Sequence, residues 1–463
     1  MVGNQFIACE ICNTKINLRI QFGYFNIQFN LRCPECNTHI YGEMKLNQES
    51  GNKLNVVNAV LTEPTDNDYF CAELSAEFPT RKLYLRKKGE EYDVSPFIRN
   101  IMFIDSSEQS LKLTRDSMRF ANYLSSEWTK MKVYYNLFWK KKSSLLKSKL
   151  LDEIKIYDFL PIREIRNDLD LAMTLHQIFL CTSGVGTVIS DVSLSEYSKT
   201  AKIIISMDIN EINRFVKDKN IDINSIEEKC FSLIDLFSNF YEQLVPVVSL
   251  KNADKLDNVD RINFGIMTAN FDELTSFYAK SYEWILENNH IIIALNNIFI
   301  RNNYNCCING KTLDDIQELK SKIMSLDYMK EDEPFSRPTN HLNNRIRNAI
   351  QHYSCEIDYV SQKAMFIDSH KGIKKVEEIY LIDFSILCIE NFSIMMYLFE
   401  LIYNLRKIQL VSLSYVPSIK SKDIQKLKAI DDTKIRRKVP CPCGSGKKYK
   451  NCCEELPTIK KAK

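Results

Sequence analysis

Four cysteines near the N-terminus form two pairs, Cys9-x2-Cys12 and Cys33-x2-Cys36, with 20 residues between them. Each pair sets two thiolates on one tight turn. Two such turns facing each other offer zinc a closed tetrahedron, the arrangement of a zinc ribbon. Four thiolates leave no open position on the metal, so the expected role is structural. Metal binding would supply folding energy that so short a segment can hardly gather from its own core. The bland alternative is four unconnected thiols. A second set, Cys441, Cys443, Cys452 and Cys453, lies near the other end, with Gly444-Ser445-Gly446 for a turn and Lys447, Lys448 and Lys450 around it. Its Gly-Ser-Gly-Lys string is not a phosphate-binding loop, because the first glycine of that pattern falls at Cys441. The third set is Arg347-Asn348-x3-His352. At about 100° per residue, Ile346, Ala349, Ile350 and Tyr353 fall on one face of a helix. Arg347, Asn348, Gln351 and His352 fall on the other, with Asn348 and His352 adjacent. A guanidinium binds anions and an imidazole moves protons near neutral pH. The same face also reads as an ordinary solvated helix surface.

These groups need elements to hold them. Strand-like residues such as Ile20, Phe22, Ile27 and Phe29 separate the first two cysteine pairs. Partial alternation from Tyr69 to Phe78 and from Lys82 to Arg86 predicts strands. Helices are expected beyond that. One starts at a cap on Asn224, with Glu227 three residues on, and runs to about Leu244, before Pro246. Another starts at Asn270 with Glu273 and runs through the 290s. A short helix spans 341–353, a β-ribbon or extended insertion spans 355–381, and a long buried helix spans 381–408. No internal repeat is expected. The expected organisation is a zinc ribbon (1–45), a β-rich segment (46–105), a helical region (106–222), a helical domain (223–415), a basic linker (416–438) and a terminal zinc knuckle (439–455).

Two resemblances extend this reading. The string from Cys441 to Cys453 resembles the SEC-C zinc motif, found at the end of the SecA translocation ATPase and on many otherwise unrelated bacterial proteins. The resemblance implies that Cys441, Cys443, Cys452 and Cys453 are zinc ligands and that the module docks on a protein or the ribosome. Arg347-Asn348-x3-His352, followed by an insertion and a long apolar helix, resembles the HEPN superfamily. HEPN domains are helical bundles, and many are metal-independent ribonucleases of toxin–antitoxin, abortive-infection and other defence systems. That resemblance spans 223–415 and implies a mainly α fold, a homodimer and an RNA substrate: tRNA, mRNA or rRNA. Arg347, Asn348 and His352 become the catalytic set, and Arg345, on the same face, an RNA contact. RNA carries its own nucleophile, the 2′-hydroxyl. His352 would do general acid–base work, Arg347 would neutralise the phosphorane, and Asn348 would orient His352 or a phosphate oxygen.

Composition bounds the alternatives. An apolar fraction of 45% with 26% charged residues excludes wholesale disorder. Only 12 glycines and 12 prolines favour long helices over a turn-rich β fold. The net charge is +3, but residues 415–463 carry 14 Lys and Arg against 5 Asp and Glu, so the only electrostatic footprint for an anionic partner is the tail. With no signal-like N-terminus and no convincing membrane span, the expected place is the cytoplasm, where the 15 cysteines are thiols or metal ligands. The expected cofactors are two structural zinc ions, with no metal needed for catalysis. The rival readings are a non-catalytic adaptor, whose zinc modules dock on a ribosome or partner protein, and a DNA-interacting regulator that uses the ribbon.

Overall fold

The computed structural model describes residues 1–46, 51–104, 107–189, 191–330, 332–370 and 373–419. About half of the chain is helical, and the described strands form four small sheets. The strands β1 (Val2–Cys9), β2 (Lys15–Gln21), β3 (Ile27–Arg32), β4 (His39–Lys45), β5 (Lys53–Val57), β6 (Ala59–Leu61), β7 (Tyr69–Leu74), β8 (Thr80–Arg81) and β9 (Tyr84–Arg86) come first. Then follow α1 (Pro96–Ile104), α2 (Ser107–Ser126), α3 (Trp128–Trp139), α4 (Ser143–Ile156), α5 (Asp168–Thr182), α6 (Gly186–Ile189), α7 (Asp191–Ser206), α8 (Ile209–Asp218), α9 (Ile223–Ser238) and α10 (Tyr241–Asn252). The chain continues through β10 (Phe264–Gly265), α11 (Phe271–Arg301), α12 (Leu313–Gln317), α13 (Asn344–Gln351), β11 (Cys355–Asp358), β12 (Lys363–His370), β13 (Ile373–Tyr380) and α14 (Leu381–Ser412). The described residues divide into two compact units, one within Met1–Thr129 and Ser183–Gln409, the other within Lys130–Thr182 and 410–419.

In the larger unit the first strands share sheets with those that follow. The order β6-β1-β2-β7-β9 joins the β1–β2 hairpin to β7 in parallel, and β3-β4-β5 forms an antiparallel sheet. The centre of the first sheet is tied by charge. Glu73 on β7 is fully buried and accepts from Arg19 Nη1 at 2.5 Å, Arg99 Nη1 at 2.7 Å and the Arg81 amide at 3.1 Å. A buried carboxylate needs this many donors to persist as an anion.

The helical core of this unit lies around α11 and α14. Asn270 caps α11, its Oδ1 accepting from the Asp272 and Glu273 amides, as its spacing predicts. α14 is apolar all round, so it is long and apolar enough to cross a membrane; yet 72% of that apolar window is buried within the protein. Asn391 Nδ2 on α14 donates to Ser281 Oγ at 2.8 Å, and Phe392 stacks on Phe237 of α9 at 4.0 Å. The Asn224 reading is corrected. Asp222 caps α9, and the helix ends at Ser238, after which α10 begins and carries Pro246 in its interior. Asp222 wins because its carboxylate reaches the Ser225 amide. Pro246 is the sixth residue of α10, past the first turn, so the helix goes without the bond that an N–H there would make to the Glu242 carbonyl.

The smaller unit holds α4 and α5. Glu153 there accepts from Tyr134 Oη at 2.9 Å and pairs with Lys130 at 3.1 Å. Asp170 holds the Ser418 amide and hydroxyl, both at 2.8 Å.

One buried titratable group in the larger unit makes a pH prediction. His341, only 7% exposed, has its pKa pushed down to about 4 by burial, with Glu390 opposing and Lys251 reinforcing the shift. Above pH about 6.5 the ring is neutral in both folded and unfolded chains. As pH falls from about 6.5 to about 4, only the unfolded chain takes up the proton, so stability drops across that window by about 3 kcal/mol. Urea unfolding measured between pH 7 and 4 should show this drop in the wild-type chain, and His341→Gln should lack that component.

Candidate functional site

The N-terminal cysteines converge. The four sulfurs of Cys9, Cys12, Cys33 and Cys36 all lie within 4.8 Å of one another. Cys9 Sγ is 3.6 Å from Cys36 Sγ, and Cys12 Sγ is 3.4 Å from Cys33 Sγ. A zinc ion with sulfurs at about 2.3 Å requires sulfur–sulfur distances of about 3.8 Å, so the donor set fits zinc in number, softness and spacing.

Two turns of the same build create this geometry. Cys9-Glu10-Ile11-Cys12-Asn13-Thr14-Lys15-Ile16 and Cys33-Pro34-Glu35-Cys36-Asn37-Thr38-His39-Ile40 share one pattern, a short repeat that the sequence expectation overlooked. In each, the first cysteine's amide bonds the threonine carbonyl, at 3.0 Å from Cys9 to Thr14 and 2.9 Å from Cys33 to Thr38. In each, the asparagine turns the chain through the left-handed region, with φ 61° at Asn13 and 59° at Asn37. Asparagine tolerates that conformation better than other side chains. The closing Ile16 and Ile40 are both fully buried and anchor the turns. The threonines reach the sulfurs: Thr14 Oγ1 lies 3.0 Å from Cys12 Sγ, and Thr38 Oγ1 lies 3.1 Å from Cys36 Sγ. These hydroxyls lower the pKa of Cys12 and bring that of Cys36 down to about 6, while burial pushes Cys33 up to about 12. Hydroxyl donors to a thiolate are what a metal-bound sulfur uses as supporting partners.

The second set lies on α13. Asn343 Oδ1 caps this helix, accepting from the Arg345 and Ile346 amides. Ile346 and Ala349 are buried, as the two-faced pattern predicts. Upstream, the buried Tyr278 hydroxyl of α11 donates to the His341 carbonyl at 2.8 Å and accepts from the Asn343 amide at 2.9 Å. On the open face, Arg347 Nε lies 2.8 Å from Glu283 Oε1, its Nη1 donates to Gln351 Oε1 at 2.8 Å, and its guanidinium stands 5.5 Å from the Tyr282 ring. Arg345 Nη1 pairs with Glu377 at 3.4 Å. His352 is exposed at the C-cap, and its amide bonds the Asn348 carbonyl at 2.9 Å. Among the described residues no side-chain hydrogen bond joins Asn348 to His352. Glu283 and Glu377 stand on α11 and β13, and nothing in the local sequence around Arg347 announces them.

Tyr353 departs from expectation. The helical phase puts it on the apolar face, but α13 ends at Gln351 and Tyr353 turns outward with φ 52°. Its amide bonds the Ile350 carbonyl at 3.2 Å, and the Ser354 amide bonds Ala349 at 2.8 Å, the pair of bonds that closes a helix with a left-handed residue.

Two measurements check these assignments. Zinc analysis of the intact chain against Cys36→Ser should show a loss of about one equivalent, together with a lower Tm. Tyr278→Phe, which removes the hydroxyl shared by the His341 carbonyl and the Asn343 amide and leaves that amide only the His341 carbonyl at 3.1 Å, should lower stability by about 1–3 kcal/mol in urea unfolding.

Cys441, Cys443, Cys452 and Cys453 lie outside the described residues. No solved structure matches the chain. A 41-residue stretch is 56% identical to a protein translocase subunit SecA from Sulfurovum sp. (strain NBC37-1), covering 9% of this chain and 5% of that relative's length. Residues 437–455 match the SEC-C motif, so the chain carries that motif at its C-terminus.

Proposed function

We propose that the chain is a HEPN-type, metal-independent endoribonuclease, working in the cytoplasm as a homodimer in a bacterial defence or toxin-type response. The observation that carries this reading is the polar face of α13, where the half-buried Arg347 and Asn348 and the exposed His352 stand opposite the buried Ile346 and Ala349. The helix is fixed by Tyr278 to the long α11, so the face is rigid. A 2′-hydroxyl of RNA attacks the adjacent phosphorus and the P–O5′ bond breaks. The products are a 2′,3′-cyclic phosphate and a 5′-hydroxyl. His352 takes the 2′-hydroxyl proton, and His352 of the partner subunit gives one to the leaving oxygen. Arg347 neutralises the phosphorane, exchanging its contact with Glu283 for one with phosphate oxygens. Arg345 makes the same exchange with Glu377 to hold a flanking phosphate. One zinc ion at Cys9, Cys12, Cys33 and Cys36 and a second at Cys441, Cys443, Cys452 and Cys453 are structural, and the SEC-C motif docks on a ribosome or partner protein.

A second reading has a specific observation behind it. Both arginines of the α13 face are already paired with glutamates of the same chain. That suits a non-catalytic adaptor, whose zinc modules dock on a partner while the helices serve as a dimer scaffold.

Cleavage separates the two. Wild-type, Arg347→Ala and His352→Ala chains are incubated with total bacterial RNA and with tRNA in the presence of chelator, and new ends are sequenced. The nuclease reading expects cyclic-phosphate ends from wild type and a fall of at least about 100-fold in either variant. Equal cutting by all three chains sinks the proposed site. No cutting by any of them favours the adaptor.

A further inference from the structure

Eleven described non-glycine residues have positive φ, and six of them are asparagine. This chain therefore spends asparagine on left-handed turns. At the end of α13 it places Tyr353 instead, the one aromatic residue among those eleven. A bulky side chain is strained in that conformation, where glycine or asparagine would close the same turn freely. Nor is the ring repaid by burial, since Tyr353 is 96% exposed. Strain held at an exposed aromatic residue points to a use for the ring itself.

Its surroundings narrow that use. Tyr353 directly follows His352 and lines a groove of about 1280 Å³. Leu236, Ala279 and Trp284 give that groove apolar surface. Its lining holds five carboxylates and three basic side chains. Such a surface turns phosphates away, yet it accepts a flat uncharged ring and the amino groups on its edge. Phosphates and bases would therefore part company here, the phosphates toward Arg345 and Arg347 and a base toward the groove.

We propose that Tyr353 is a stacking platform for an unpaired RNA base flanking the phosphate held by Arg347, so that the substrate at this site is single-stranded. This rests on the ribonuclease reading for the identity of the ligand. Bases in a duplex are stacked on one another and cannot be splayed onto a side chain, whereas loop and end nucleotides can. Every base has a π-face, so the platform selects strandedness and not sequence.

The test uses opposite signs. In a His352→Ala background, which silences cleavage, binding of a labelled 12-nucleotide mixed-sequence single-stranded RNA is compared with binding of the same sequence as a duplex. Tyr353→Gly should raise Tm, because it relieves the left-handed strain, and yet weaken single-strand binding roughly tenfold. Tyr353→Phe should bind as tightly as tyrosine. Tyr353→Asn, which closes the same left-handed turn without a ring, should lose single-strand binding as Tyr353→Gly does, so loosening of the turn alone does not account for the loss. Unchanged single-strand binding in Tyr353→Gly overturns the proposal, and so does equal preference for duplex. Single-strand binding that depends on Tyr353, in a chain whose His352-containing form cuts no RNA, keeps the platform and removes the nuclease. No binding of either RNA by any chain removes the platform, while the nuclease stands or falls on cleavage of total RNA by the wild-type chain.

Discussion

The Tyr278 hydroxyl is where the long-helix core meets the start of α13. It sits on α11, fully buried, and serves the His341 carbonyl and the Asn343 amide at once. Those two groups belong to the turn that starts α13. A buried hydroxyl with both its donor and acceptor used is an expensive group to disturb, so the start of α13 inherits the rigidity of the core. The neighbouring Tyr282 hydroxyl adds a bond to Asn344, one turn further along α11. Arg347 then projects from a fixed helix toward α11, where Glu283 meets it.

That core depends in turn on α14, apolar on every side. A helix of this kind is covered here by other elements of the chain. α9 and α11 cover it, through Phe237 stacked on Phe392 and through Asn391 bonded to Ser281. The polar Asn391, Glu400 and Asn404 inside this apolar helix are all buried, and each finds a partner on α11 or within α14 itself. Polar groups buried this way restrict how the helices can slide against each other.

At the N-terminal end the organising constraint is different. Two short turns must bring four sulfurs to one point, and short turns are weak on their own. Their strands gain support by pairing outside the cysteine segment: β1 with β6, β2 with β7, and β4 with β5. Glu73 on β7, held by Arg19 from β2 and by Arg99 from α1, ties that sheet to the helices. The cysteine turns therefore sit on a scaffold whose sheet pairing a metal bound by the four sulfurs would reinforce.

Local spacing determined much of this protein by itself. The two C-x2-C pairs specified two facing turns, because a pair at that spacing has few other ways to present both thiolates. The 3.6-residue period specified which side of α13 is buried, and Asn270 marked the start of α11 by its reach to the next amides. The repeat around Asn13-Thr14 and Asn37-Thr38 was also written in the sequence, though it takes the turns to show why the residues recur. Tertiary structure alone decided the rest. It chose Asp222 over Asn224 as the cap of α9, because two nearby residues offered the same chemistry and packing selected between them. It set Glu283 against Arg347 and Glu73 between two arginines, pairs whose members lie far apart in the chain. It also turned Tyr353 out to solvent, by ending α13 two residues before the period would have buried the ring. Periodicity reports which face of one element turns inward. Which side chain from another element meets it depends on how whole elements pack, and no local pattern carries that information.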